Sequence, residues 1–134
     1  MPLASRAHGK EVKVEKLGSD GWVAEDLQPS LLIFAGGYYS NMHVPVGDDG
    51  KSKPRKRLPD RDSRTDAQTV EAWRTITANS GSYKVSGSEI AFTVLVAKSP
   101  NFMDGGSFKA SFKVEGDTLT LETPNFRVTR KRLK

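Results

Sequence analysis

The chain has 134 residues, 36% hydrophobic and 28% charged, with no cysteine and a formal net charge of +5. A mass of 14.7 kDa reads as a single domain over 1–134, long enough for folding to hide roughly two-thirds of the unfolded surface, which excludes the disordered, collagen-like and coiled-coil classes. Without cysteine there is no disulfide frame, thiolate nucleophile or Cys-based zinc site.

In chain order, 1–8 is expected to be a disordered or extended terminus. Met1 to Lys10 lacks the apolar segment of a secretory signal, and the longest apolar runs, Leu31 to Ala35 and Ile90 to Ala97, are too short to span a bilayer. A cytoplasmic protein with no membrane partner is therefore expected. Glu11 to Leu17 reads as a strand, Gly18-Ser19-Asp20-Gly21 as a turn that also takes in Trp22, and Ser30 to Ala35 and Tyr38 to Val44 as two strands around Gly36-Gly37. The two faces of Tyr38 to Val44 are almost equally apolar, so its inward side stays open. Residues 47–64 are rich in Gly, Pro, Asp and basic side chains and read as a long exposed loop. Thr65-Asp66-Ala67-Gln68 fits a capping box, predicting a helix near 66–78 that ends before Gly81, with Trp73 plugging it into the sheet. Ser82 to Val85 and Glu89 to Lys98 make a hairpin across Ser86-Gly87-Ser88. Ser107 to Glu115 alternates strictly and turns at Gly116-Asp117 into Thr118 to Glu122, and Phe126 to Leu133 follows the Pro124-Asn125 turn. About eight strands with mostly short connections predict an all-β, antiparallel up-and-down barrel or sandwich.

Three segments carry a resemblance: Ser30-Leu31-Leu32-Ile33-Phe34-Ala35-Gly36-Gly37-Tyr38-Tyr39-Ser40, the helix running into Ala78-Asn79-Ser80-Gly81-Ser82-Tyr83-Lys84-Val85, and Glu115-Gly116-Asp117-Thr118-Leu119-Thr120-Leu121. Together they resemble the bacterial lipocalin-like domain family, from about Gly9 onward. The resemblance implies a calycin-type antiparallel β-barrel with a helix near one end and an interior that holds a small apolar molecule. It implies no catalytic residues. One departure stands out: the family's opening strand carries Gly-x-Trp, which has no counterpart before Gly9-Lys10-Glu11-Val12. The C-terminal arginine that packs over that Trp would be Arg130 or Arg132, here without its partner. A missing strand would leave two unpaired edges, so a homodimer is expected.

No phosphate loop, nucleophile elbow, zinc-protease motif or calcium-loop spacing is present, and neither cofactor nor metal is expected. His43, beside Tyr39 and Asn41, reads first as an ordinary half-exposed strand residue and only second as a proton-transfer group. His8 lies in the terminus, and Asp104 and Asp48-Asp49 lie in turns. The aromatics say more. Tyr38, Met42, Trp73, Tyr83, Phe92, Phe108 and Phe112, with Phe102 and Met103 nearby, either fill the interior or line a ligand site, and the resemblance favours the site. Tyr38 and Tyr83 are its candidate hydroxyl anchors. The pI near 9.6 rests on Lys51, Lys53, Arg55, Lys56 and Arg57 and on the tail Arg130, Lys131, Arg132 and Lys134. Acids flank the first run and no exposed strand shows stacked aromatics, so these read as a solvated loop and tail rather than a nucleic-acid interface. The function expected is binding of a small hydrophobic or amphipathic molecule in the interior. The alternative is an isomerase, cyclase or hydratase using the same pocket, with His43, Tyr38, Tyr83 or Asp104 as acid or base.

Overall fold

Side chains that alternate every second residue between apolar and polar build strands in pairs, and glycine turns join most of the pairs. The structure, a computed structural model, describes residues 6–53 and 55–133, with 6–12 described by their backbone. Its strands are β1 (Arg6–Gly18), β2 (Gly21–Glu25), β3 (Ser30–Ala35), β4 (Tyr38–His43), β5 (Thr77–Ser86), β6 (Glu89–Ala97), β7 (Ser107–Glu115), β8 (Thr118–Glu122) and β9 (Phe126–Arg132). Two helices, α1 (Asp66–Arg74) and α2 (Pro100–Met103), lie in the connections.

Every pairing is antiparallel, in the order β2-β1-β3-β4-β5-β6-β7-β8-β9 with β1 also paired to β9. On one edge β1 meets β3 through Arg6 to Gly9 and β2 through Val14 to Gly18. Its other edge meets β9 from Gly9 opposite Arg132 to Lys16 opposite Phe126. The sheet thus curls until its last strand lies against its first. This is the all-β antiparallel architecture expected, with two differences at the start. First, β1 begins at Arg6, ahead of the strand expected from Glu11, and both its edges are used, β9 lying along one of them, while β2 stands at the end of the strand order. Residues 1–5 lie outside the described residues. Second, β2 replaces part of the expected turn. Gly21, at φ 113°, reverses the chain so tightly that Trp22 falls directly opposite Leu17.

The capping box forms as expected: the Gln68 N–H donates to Thr65 Oγ1 at 3.2 Å and the Thr65 N–H to Gln68 Oε1 at 3.0 Å. The helix stops earlier than expected, at Arg74, and buries none of its residues. Arg55 donates to the Ala72 carbonyl at 3.2 Å, and the Lys98 ammonium to those of Trp73 and Ile76. Two cations thus sit at the helix C-terminus, where its carbonyls and dipole favour positive charge. Gly81 is no helix stop but a strand residue beside a bulge at Ser80/Gly81. A Cβ there would lie 1.8 Å from the Thr93 carbonyl oxygen, so only glycine lets β5 and β6 approach.

The core is packed toward the end closed by the turns at Gly36-Gly37, Gly87 and Gly116. Phe34 and Ile90 are fully buried, joined by Leu32, Tyr39, Phe92, Ala110 and Phe112. Phe34 meets Tyr83 edge-on at 4.9 Å, Tyr39 meets Phe92 edge-on at 4.8 Å, and Phe92 stacks on Phe108 at 4.5 Å. Such pairs add about 0.5–1.5 kcal/mol each beyond burial. Toward the other end the interior is not filled.

Candidate functional site

Strand alternation decides what faces that space. In β4 the inward residues are Tyr39, Asn41 and His43, because Phe34 and Leu32, buried on β3, stand opposite Tyr39 and Asn41. Around the same space stand Phe92 of β6, Phe108 and Ala110 of β7, Leu121 of β8, Val128 and Arg130 of β9, and Val14 and Lys16 of β1. Together they line a cavity of about 600 Å³, within the size range of small-molecule sites.

The polar side chains gather on one wall. Arg130 is only 5% exposed, and its guanidinium donates to Ser30 Oγ at 2.9 Å and to Asn41 Oδ1 at 3.5 Å. The Tyr39 hydroxyl donates to Asn79 Oδ1 at 2.6 Å, and burial pushes its pKa up to about 12. Burial also holds the His43 imidazolium below its usual range, and the Arg130 charge pushes the same way. At neutral pH His43 is thus an uncharged imidazole, with one nitrogen to donate and one to accept.

A strap closes part of the mouth. Residues 44–48, with Val44, Pro45 and Val46, complete the lining next to Glu25, Asp26 and Gln28. Gln28 is buried and donates to the carbonyls of Pro45 at 3.2 Å and Lys53 at 2.8 Å, while its own oxygen accepts from Ser52 at 3.2 Å. Asp26 accepts from the Ser52 N–H at 2.6 Å. The start of the segment read as a free loop is therefore tied to the β2–β3 link.

Of the residues singled out in the sequence, Phe92 and Phe108 stand on the cavity wall. Tyr83 and Phe112 lie deeper, in the packed core. Tyr38, Met42 and Trp73 do not face the cavity: they are 60%, 50% and 57% exposed. For Tyr38 and Met42 the reason is the β4 register. Trp73 stands on α1, which buries none of its residues, its ring under the Lys98 ammonium at 5.0 Å. Phe102, on α2, stacks on the Phe108 ring at 5.7 Å. The arginine seen over a tryptophan is Arg127, 4.7 Å above Trp22, while its fork holds Glu15 at 2.9 and 3.0 Å. Sequence reading set Asn41 beside His43 but passed over Arg130 and Gln28 as parts of the site. The period-two step from Val128 would have turned Arg130 inward, whereas no local pattern marks Gln28. Among the described residues no group of three or more His, Asp and Glu side chains is arranged to hold a metal ion.

No family model matches the chain, and no curated protein matches it. Among solved structures, it is similar to a lipocalin-like protein from Bacteroides uniformis ATCC 8492, with a TM-score of 0.57 at 13% identity over 96% of this chain and 98% of that one. The fold is lipocalin-like. The chain is also similar to an uncharacterized protein from Bacteroides eggerthii DSM 20697, with a TM-score of 0.50 at 12% identity over 93% of this chain and 97% of that one. At such identities the likeness extends to the fold alone.

Proposed function

We propose that the protein binds one small hydrophobic or amphipathic molecule inside the curled sheet. The observation that carries this reading is the cavity of about 600 Å³, apolar on most of its wall, with Arg130, Asn41 and His43 together on one side. Sheets of about eight strands that close on themselves have room for their own side chains or for one small ligand, as in lipocalins. Here the far end takes the first option and the mouth end the second. Binding comes from burying apolar ligand surface, at roughly 25 cal/mol per Å² before the costs of association. The polar wall orients whatever hydrogen-bonding end the ligand carries.

Native mass spectrometry of protein from its expression host tests this. The expected result is a discrete added mass released on denaturation, or uptake of a small fluorescent apolar probe by a ligand-free sample. Val128→Trp, which fills the cavity from β9, is expected to abolish either signal, while Tyr38→Ala, on the outside, leaves it intact. A ligand-free mass with no probe uptake overturns the reading.

A second reading, an enzyme acting on the same molecule, is favoured by one observation: His43 is a half-buried, uncharged imidazole on the cavity wall. Tyr38, Tyr83 and Asp104 are outside the lining, so this reading narrows to His43. Turnover of an identified ligand that His43→Gln abolishes without loss of binding would establish it.

A further inference from the structure

The open end of the sheet is also its apolar end. One end carries the short glycine turns at Gly36-Gly37, Gly87 and Gly116. The other carries the β1–β2 turn, the long β4–β5 and β6–β7 connections and the β8–β9 turn, and the cavity opens there. Among the described residues, all the exposed large apolar side chains except Tyr38, Val85 and Leu133 belong to this second end, to its connections or to the strand ends beside them. They include Leu27, Val70, Trp73, Leu95, Val96 and Met103. Large apolar groups concentrated at one end mark a surface that meets an apolar phase or partner.

The charges beside this rim choose between partners. Lys51, Lys53, Arg55, Lys56 and Arg57 follow one another with no acid between them, Asp48 and Asp49 coming before and Asp60 and Asp62 after. Arg55 pins this run to the last turn of α1 through Thr75 Oγ1 at 3.2 Å and the Ala72 carbonyl. Lys98 caps the same turn over the exposed Trp73 ring. Glu25, Asp26 and Asp48 line the cavity mouth instead. A second copy docked rim to rim would set two cationic runs against each other, which costs association energy. Nucleic acid has use for the cations and for Trp73, but none for Leu95, Val96 or Met103. An anionic bilayer takes both: apolar and Trp side chains enter the boundary between headgroups and acyl chains, and Lys and Arg stay at the phosphates.

We propose that the α1 side of the open end docks on an anionic lipid surface, through the apolar rim around Trp73 and the cationic run 51–57, with the acidic residues of the cavity mouth turned away from the phosphates. Surface docking requires no spanning segment, and among the described residues no helix is long and apolar enough to cross a membrane. The proposal goes beyond ligand binding and stands whatever the cavity holds.

Vesicle flotation tests it, using phosphatidylcholine with about a quarter phosphatidylglycerol against phosphatidylcholine alone. The full chain is expected to float with the anionic vesicles only, and to be released by added salt. Trp73→Ser and the pair Lys56→Glu, Arg57→Glu are each expected to lower the bound fraction at least about tenfold. All three side chains are exposed, and an unchanged thermal midpoint shows that each variant folds. Absence of flotation at low salt overturns the proposal, as does flotation that neither variant weakens. A rim-to-rim dimer in native mass spectrometry, or Trp73-dependent binding of an oligonucleotide without vesicle binding, also overturns it.

Discussion

His43 shows how much one register decision settles. Because Phe34 faces Tyr39 across the β3–β4 pair, His43 falls on the inner face at the mouth, beside Arg130 and within reach of the strap. Its folded-state pKa lies below 6.5, first through burial and then through the Arg130 charge, so above pH 6.5 it is neutral in both folded and unfolded chains. Below 6.5 the unfolded chain takes up a proton that the folded one resists, and stability falls as pH drops through that window. Urea unfolding at a series of pH values from 7.5 downward is expected to show this loss in the parent protein and a flatter profile in His43→Gln. Identical profiles would place the imidazole in solvent. Neither face of Tyr38 to Val44 stood out in the sequence, because Tyr38, Ser40, Met42 and Val44 are only a little more apolar than Tyr39, Asn41, His43 and Pro45, and on β3 Leu31 and Ile33 are as apolar as Leu32 and Phe34. Inside and outside were decided by burial along the whole β3 strand, which no local pattern reports.

At the scale of elements, legibility followed local chemistry. The β7–β8 hairpin carries strict alternation around Gly116-Asp117, and the start of α1 carries its capping box, so both were legible. β2 has five residues and its Val23 stays exposed; its existence depends on pairing with β1, which lies outside any short window. The strap depends on Gln28 reaching Pro45 and Lys53. Gly81 carries the same lesson, since a glycine after a helical pattern reads as a stop and here serves a close approach between strands. Gly81→Ala is expected to destabilise the fold by about 1–3 kcal/mol, since the atom it meets is backbone and cannot swing aside. Thr65→Ala is a contrasting case. It removes a cap worth about 1 kcal/mol, but α1 buries nothing, so the loss is expected chiefly as about fivefold faster amide exchange within residues 66–75. Equal acceleration throughout β5 and β6 would mean that α1 unfolds only with the sheet.

At the scale of the whole molecule, β1 and β9 pair although they lie far apart in sequence, so their contacts carry the largest loop-closure cost. Arg127 fastens that seam. Its guanidinium, on β9, holds both oxygens of Glu15 on β1, 112 positions away, and covers the Trp22 ring on β2, so one side chain joins three strands. Lys13 adds a contact to Glu15 at 3.7 Å. The Arg127 hydrogen bonds, against an opposing burial effect and with the charges of Arg127 and Lys13, hold the Glu15 carboxyl below its usual 4.5. For a lowered carboxyl the stabilisation is present above pH 4.5 and lost as pH falls through the folded-state value, because the unfolded chain protonates first. Glu15→Gln is therefore expected to be less stable than the parent at pH 7 and to decline less steeply below pH 4.5. Amide exchange is expected to quicken first in β9 and β2, the strands flanking the seam, while β5 and β6 stay protected. Parallel acid profiles, or exchange that quickens evenly around the sheet, would show that backbone pairing holds β1 against β9 without this ion pair.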